Sequence, residues 1–206
     1  MMNAFKLALS GAVIAMTIAG GTMAASAEQA IPSRVRGTIT AVSPDSLEVH
    51  TRDGKDVQVA LTKETSVAAI ELTTLDAIKP DSYIGTAAAP QPDGSLKALE
   101  VHIFPASMRG AGEGTRPWDL TPNSTMTNGA VGSIVGSDGR TLTVKYQNGE
   151  KKVFVPADVP IVSIVPADRT LLKAGVKAVL LATKNADGSL VARSVSVGTN
   201  GAAPPM

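Results

Sequence analysis

The chain contains no cysteine, which excludes disulfide staples and thiolate chemistry and leaves stability to the core alone. Aromatic residues make up only 3% of it, and Phe104, Phe154, Tyr83, Tyr146 and Trp118 do not recur at matching positions, so no platform exists on which bases could stack. Net charge is scarce too. The formal +1 at pH 7 is spread without a basic stripe or an acidic run, and no nucleic-acid partner is expected. Histidine occurs twice and no serine lies in a nucleophile elbow. With no nucleophile and base in a recognisable pattern, a non-enzymatic protein is expected.

Long apolar runs are missing apart from one. Lys6 precedes the stretch from Leu7 to Ala19, which ends at Gly20-Gly21 and is followed by Ala25-Ser26-Ala27. A positive start, a short apolar run and small residues before a cut at Glu28 describe a signal peptide over 1–27. The run is too short for a stable span, so no membrane span is expected after cleavage and the location is periplasmic or secreted.

What is present is strand pattern and near-repetition. Asp93-Gly94-Ser95-Leu96-Lys97-Ala98-Leu99-Glu100-Val101-His102-Ile103 returns as Asp187-Gly188-Ser189-Leu190-Val191-Ala192-Arg193-Ser194-Val195-Ser196-Val197. Each reads as an Asp-Gly turn feeding a strand. Ahead of the first, Val35-Arg36-Gly37-Thr38-Ile39 alternates, Leu47 and Val49 share a face, Asp53-Gly54 turns the chain, and Val57, Val59 and Leu61 resume the pattern. Ala130-Val131-Gly132-Ser133-Ile134 is set against Val35 to Ile39 with Gly132 opposite Gly37. Thr141 to Val144 matches Ser46 to Val49, and Val153 and Val155 match Val57 and Val59. A helical turn ahead of Pro80 corresponds to Leu171 to Gly175. Five or six short strands with one helical turn, twice over, predict an all-β protein of two tandem OB-like small β-barrels, an open sandwich being the alternative. The boundaries are 28–103 for the first repeat, 104–128 for a connector, 129–198 for the second repeat and 199–206 for a flexible tail.

The motifs Val-x-Gly-x-Ile, Leu-x-Val, Asp-Gly-Lys and Asp-Gly-Ser-Leu-x-Ala-x-x-Val resemble those of a bacterial exported family of OB-like repeats classed as a domain of unknown function. The resemblance covers about Arg34 to Ile103 and Ala130 to Val197. It implies a fold and an envelope location, and it carries no catalytic residues. Val159-Pro160-Ile161 departs from it, since Pro is unsuited to an interior strand position.

Two groups of residues stand out as candidate sites. The connector is too long for an ordinary tether and holds the only Trp. Arg109, Glu113, Arg116, Trp118 and Asp119 are the candidate partner-binding residues there, the arginines suited to an anion or carboxylate of an envelope protein or glycan. The plainer use of Trp118 and Leu120 is to pack in the crease between barrels. The second group comes from Leu-Glu-Val-His, which occurs at Leu47 to His50 and at Leu99 to His102 and contains both histidines. Alternation puts Glu48, His50, Glu100 and His102 on the outer face, as ligand types for zinc or copper. The two strands would stand about 9.5 Å apart across Gln58, and solvated outer-face residues are the plainer reading. No cofactor is expected otherwise.

Overall fold

The computed structural model describes residues 31–136 and 139–204; the signal-peptide reading of 1–27 lies outside them. The described chain is all-β, with twelve strands and three single-turn 3-10 helices. The strands are β1 (Ile31–Val42), β2 (Ser46–Thr51), β3 (Asp56–Thr73), β4 (Tyr83–Pro90), β5 (Leu96–Ile103) and β6 (Gly114–Pro117), then β7 (Thr125–Val135), β8 (Thr141–Tyr146), β9 (Gly149–Phe154), β10 (Ile161–Ala167), β11 (Lys177–Lys184) and β12 (Leu190–Gly198).

Five strands close a barrel in the order β1-β2-β3-β12-β11 and back to β1. The meander β1-β2-β3 and the hairpin β11-β12 are antiparallel, while β12 runs parallel to β3. The remaining strands form a second ring in the same manner: β7-β8-β9 is a meander, β4-β5 a hairpin, β4 pairs with β7, and β5 runs parallel to β9 and then β10. The expectation of two barrels in tandem, each closed by its own half of the chain, is therefore corrected. Each ring takes its meander from one half and its hairpin from the other. The cores obey the same division, because Val35, Ile39, Leu47, Val49 and Val59 pack with Leu180, Val195 and Val197, and Ile84, Ala98 and Val101 with Val131, Leu142, Val144 and Val153.

The two rings carry one pairing diagram. Leu96 faces Val153 as Leu190 faces Val59, and Val101 faces Ile161 as Val195 faces Val67. Likewise Ile39 pairs with Val49 as Val131 with Val144, and Arg34 with Leu181 as Met126 with Ala87. This register sets Gly37 against Gly129, three residues from the alignment expected. The reason is steric. A Cβ on Gly37 would lie 2.1 Å from the His50 carbonyl oxygen, and one on Gly129 would lie 2.2 Å from that of Lys145; both glycines exist to let a neighbouring strand approach. Gly132 instead occupies a bulge between Val131 and Ser133.

The rings are joined where β3 outruns the barrel. Its far half pairs antiparallel with β10, from Ile161 opposite Thr73 to Ala167 opposite Val67. At the middle of that ladder stands Ile70 opposite Ile164, residues at corresponding places of the two halves, so the ribbon lies on a pseudo-twofold axis. Ile70 and Val162 are fully buried and Ile164 nearly so, with Phe104 packed against them. In the second half the long strand is interrupted over Val155 to Pro160, as Pro160 requires.

The two Asp-Gly turns carry the same hydrogen bonds. The Asp93 carboxylate accepts from the Ser95 amide at 3.0 Å and its hydroxyl at 2.7 Å, and Asp187 accepts from Ser189 at 2.9 and 2.6 Å. Gly94 and Gly188 sit at φ +82° and +85° as the last residue of a three-residue loop, each N–H donating three residues back to Gln91 or Asn185, a left-handed position that glycine adopts freely. The C-terminal residues differ from expectation: Thr199 donates to the Ile70 carbonyl from both its amide and hydroxyl, and Ala202 and Pro204 are buried.

Candidate functional site

The connector is folded rather than slack. It makes a 3-10 turn over Ala106–Met108, then β6, which adds to the edge of β7 with Gly114 opposite Asn128 and Arg116 opposite Met126. Its candidate residues are spent on this packing. The Arg109 guanidinium donates to the Asp81 carbonyl at 2.9 Å and its carboxylate at 2.6 Å, Arg116 donates to the Gly112 carbonyl at 2.8 Å, and Glu113 accepts from the Gln147 amide at 2.8 Å. They converge on no common point.

Trp118 and Asp119 do something different. They reach from the second ring to the first barrel, where even-numbered residues at the start of β1 point outward. Asp119 is gripped by both: Arg36 bonds its two oxygens end-on at 2.9 and 2.7 Å, and Arg34 bonds them at 3.2 Å. Trp118 lies beneath, with the Arg34 guanidinium 3.8 Å and that of Arg116 5.4 Å from its ring centre. The hydrogen bond from Arg36, with the charge of both arginines, holds the Asp119 carboxyl at about 2. Burial pulls the Arg34 and Arg116 guanidinium groups below their usual range, opposed at Arg34 by Asp119. Three donors in this cluster, the Nε of Arg34, the Nε of Arg36 and the Nε1 of Trp118, are buried without a partner. Orphan donors are uncommon in native proteins and cost free energy.

Beside the cluster opens a groove of about 620 Å³ at the mouth of the first barrel, between the start of β1, the β2-β3 turn and the β11-β12 turn. Arg34, Arg36, Arg52, Lys55 and Lys184 line it, against the carboxylates of Asp53 and Asp119. In a chain of nearly balanced charge this is a concentrated positive surface. Arg34, Arg36, Arg52 and Lys184 are not among the residues that motif and spacing single out. The legible signal was Arg34-x-Arg36, two cations on one strand face; the other two come from turns whose proximity is tertiary.

The Glu-x-His strands are separated. His50 stands exposed on β2 of the first barrel, 2.7 Å from the Asp56 carboxylate, with Glu48 exposed beside it. Glu100 and His102 lie on β5 in the second ring, where they are 0% and 2% exposed, so the solvated outer face expected for them is corrected. They point outward as alternation requires, but the connector roofs that face: Tyr83 and Asn128 both donate to the Ala111 carbonyl and Phe104 meets the His102 ring edge-on at 4.7 Å. His102 Nδ1 lies 3.2 and 3.1 Å from the two Glu100 oxygens, one of which also accepts from the Ala87 amide at 3.1 Å. Gly85 makes room, since a Cβ there would sit 2.1 Å from His102 Nε2. Among the described residues no three His, Cys, Asp or Glu side chains gather as metal ligands. No described helix is long and apolar enough to cross a membrane.

Neither a family model, a curated protein nor a solved structure matches the chain.

Proposed function

We propose that the chain is an exported, non-enzymatic binding module, two OB-like barrels born of duplication with their hairpins exchanged, which recognises a carboxylate-bearing protein or glycan of the envelope at the mouth of the first barrel. The observation that carries this is the grip of Arg34 and Arg36 on Asp119. A fork of two guanidinium groups facing a carboxylate is the arrangement by which arginine reads such groups. Here it is met by an internal carboxylate whose side chain is 53% exposed, on a segment that could yield it to a competitor. The unused Nε donors and the excess of cations around the groove favour an anionic ligand over a neutral one. The metal reading loses its support with His50 and His102 in different rings.

The test is titration of the purified chain with poly-L-glutamate and with polygalacturonate, followed by the fluorescence of Trp118, the only tryptophan. Binding of either, weakened at least tenfold in Arg34→Gln/Arg36→Gln and strengthened in Asp119→Asn, is expected, and the responding polymer separates protein from glycan. No binding, or equal binding by parent and double variant, would refute the reading.

A further inference from the structure

The two rings differ at one place in their shared diagram. In the second, β7 at Thr125–Asn128 is flanked on both edges, by β4 and by β6. The corresponding stretch of β1, Ser33 to Arg36, pairs with β11 on one edge, and on the other no strand lies among the described residues. Ile39 turns its N–H toward β11, donating to Val176 O at 2.9 Å. Strand alternation therefore sends the N–H groups of Arg34 and Arg36 and the carbonyl of Arg34 to the open edge. The Arg36 carbonyl on that side accepts from the Arg52 amide at 3.0 Å. An unpaired strand edge is a template for another strand, and this one borders the cationic groove.

We infer that an extended acidic peptide of a partner protein adds as a strand to this edge of β1, in the way β6 adds to β7. This rests on the carboxylate-binding reading above and states its mode: main-chain bonds to Arg34 supply affinity, and alternate acidic side chains reach Arg52, Lys55 and Lys184. The second ring shows the pattern in miniature, because Glu113, next to β6, places its carboxylate on the β8-β9 turn at the Gln147 amide, the position corresponding to Arg52. The residues of this chain at the corresponding place carry no acidic side chain. Residues 22–25 stand as far ahead of β1 as β6 stands ahead of β7, and they read Thr22-Met23-Ala24-Ala25 without a carboxylate.

The full chain is titrated with three synthetic nine-residue peptides: glutamate alternating with valine, glutamine in place of glutamate, and the acidic peptide N-methylated at alternate amides so that its outward charge remains but its pairing edge is blocked. Trp118 fluorescence reports binding, and amide hydrogen exchange reports Arg34. The acidic peptide is expected to bind and to slow exchange at Arg34 at least tenfold, with the glutamine and N-methylated forms at least tenfold weaker and Arg52→Gln/Lys184→Gln at least fivefold weaker for the acidic form. Equal binding of the N-methylated form without protection at Arg34 would overturn strand addition while leaving carboxylate recognition standing. Binding of no acidic peptide would overturn both. Slow exchange at Arg34 before any peptide is added would show the chain's own leading residues on the edge and likewise overturn the inference.

Discussion

The exchange of hairpins can be tested with one covalent bond, in a chain whose lack of cysteine makes the experiment clean. Thr38 on β1 faces Lys177 on β11. Because the odd residues of β1 bond to β11, this is a non-hydrogen-bonded pair, with Cα atoms about 4.5 Å apart, inside the roughly 4.4–6.8 Å that a disulfide spans. If each half instead closed its own barrel in the same register, the residue facing Thr38 would be Tyr83, the counterpart of Lys177. The double variant Thr38→Cys/Lys177→Cys should therefore oxidise quantitatively as a monomer, seen as a shifted band without reductant and as a cross-linked peptide by mass spectrometry. The bond would close a loop of about 140 residues, for which the chain-entropy estimate is roughly 5 kcal/mol, with about 2–4 kcal/mol realised once strain is included. Denaturant midpoints with and without reductant give the figure. Failure of Thr38→Cys/Lys177→Cys to oxidise, together with ready oxidation of Thr38→Cys/Tyr83→Cys, would refute the exchange and the pairing diagram built on it.

Asp119 has a folded value of about 2, below the ordinary 3.8, so its contribution is complete above pH 4 and is lost as pH falls through 2. At face value the difference amounts to about 2.4 kcal/mol, but the carboxylate is half-exposed and solvent screening leaves roughly 1 kcal/mol or less; Asp119→Asn should cost that at pH 7 and only a small fraction of it at pH 2 in urea melts. Ile70→Ala, at the pseudo-twofold ladder, should cost about 3 kcal/mol and lower the unfolding of both rings together in one transition, whereas two separate transitions would show that the ladder does not couple them. Glu100→Ala strands the Ala87 amide and His102 Nδ1 in a buried site and should cost about 3 kcal/mol, with Glu100→Gln restoring part of it and His50→Ala, on the open face, changing stability by less than about 0.5 kcal/mol. Zinc or copper titration should give the same result for the parent and for His50→Ala/His102→Ala; tighter uptake by the parent would revive the metal reading.

Turns and alternation were readable because they are local. Asp93-Gly94 and Asp187-Gly188 had to be turns whatever followed, and Val35, Ile39, Leu47, Val49 and Val59 had to face a core. Partner choice was not readable. Nothing in the residues of β4 says that it will pair with β7 rather than with β1, because strand partnering is a tertiary matter that alternation within one strand does not record. The three-residue error in matching the halves has an equally local cause: Gly129-Ala130-Val131 and Gly132-Ser133-Ile134 both answer to Gly37-Thr38-Ile39, and only the close approach of the Lys145 carbonyl singles out Gly129. For Glu100 and His102 the facing was right and the exposure wrong, because the roof over them comes from residues that alternation within β5 cannot register. The connector's length marked it as more than a tether, yet Asp119 took its partners from the first strand of the other ring.

The exchanged hairpins also fix an order of events. When the chain emerges from the ribosome, β1 to β3 must wait for β11 and β12, which follow more than a hundred residues later. The second ring, whose meander and hairpin both lie between Tyr83 and Phe154, can close first, while the first barrel depends on contacts distant in sequence, which form slowly.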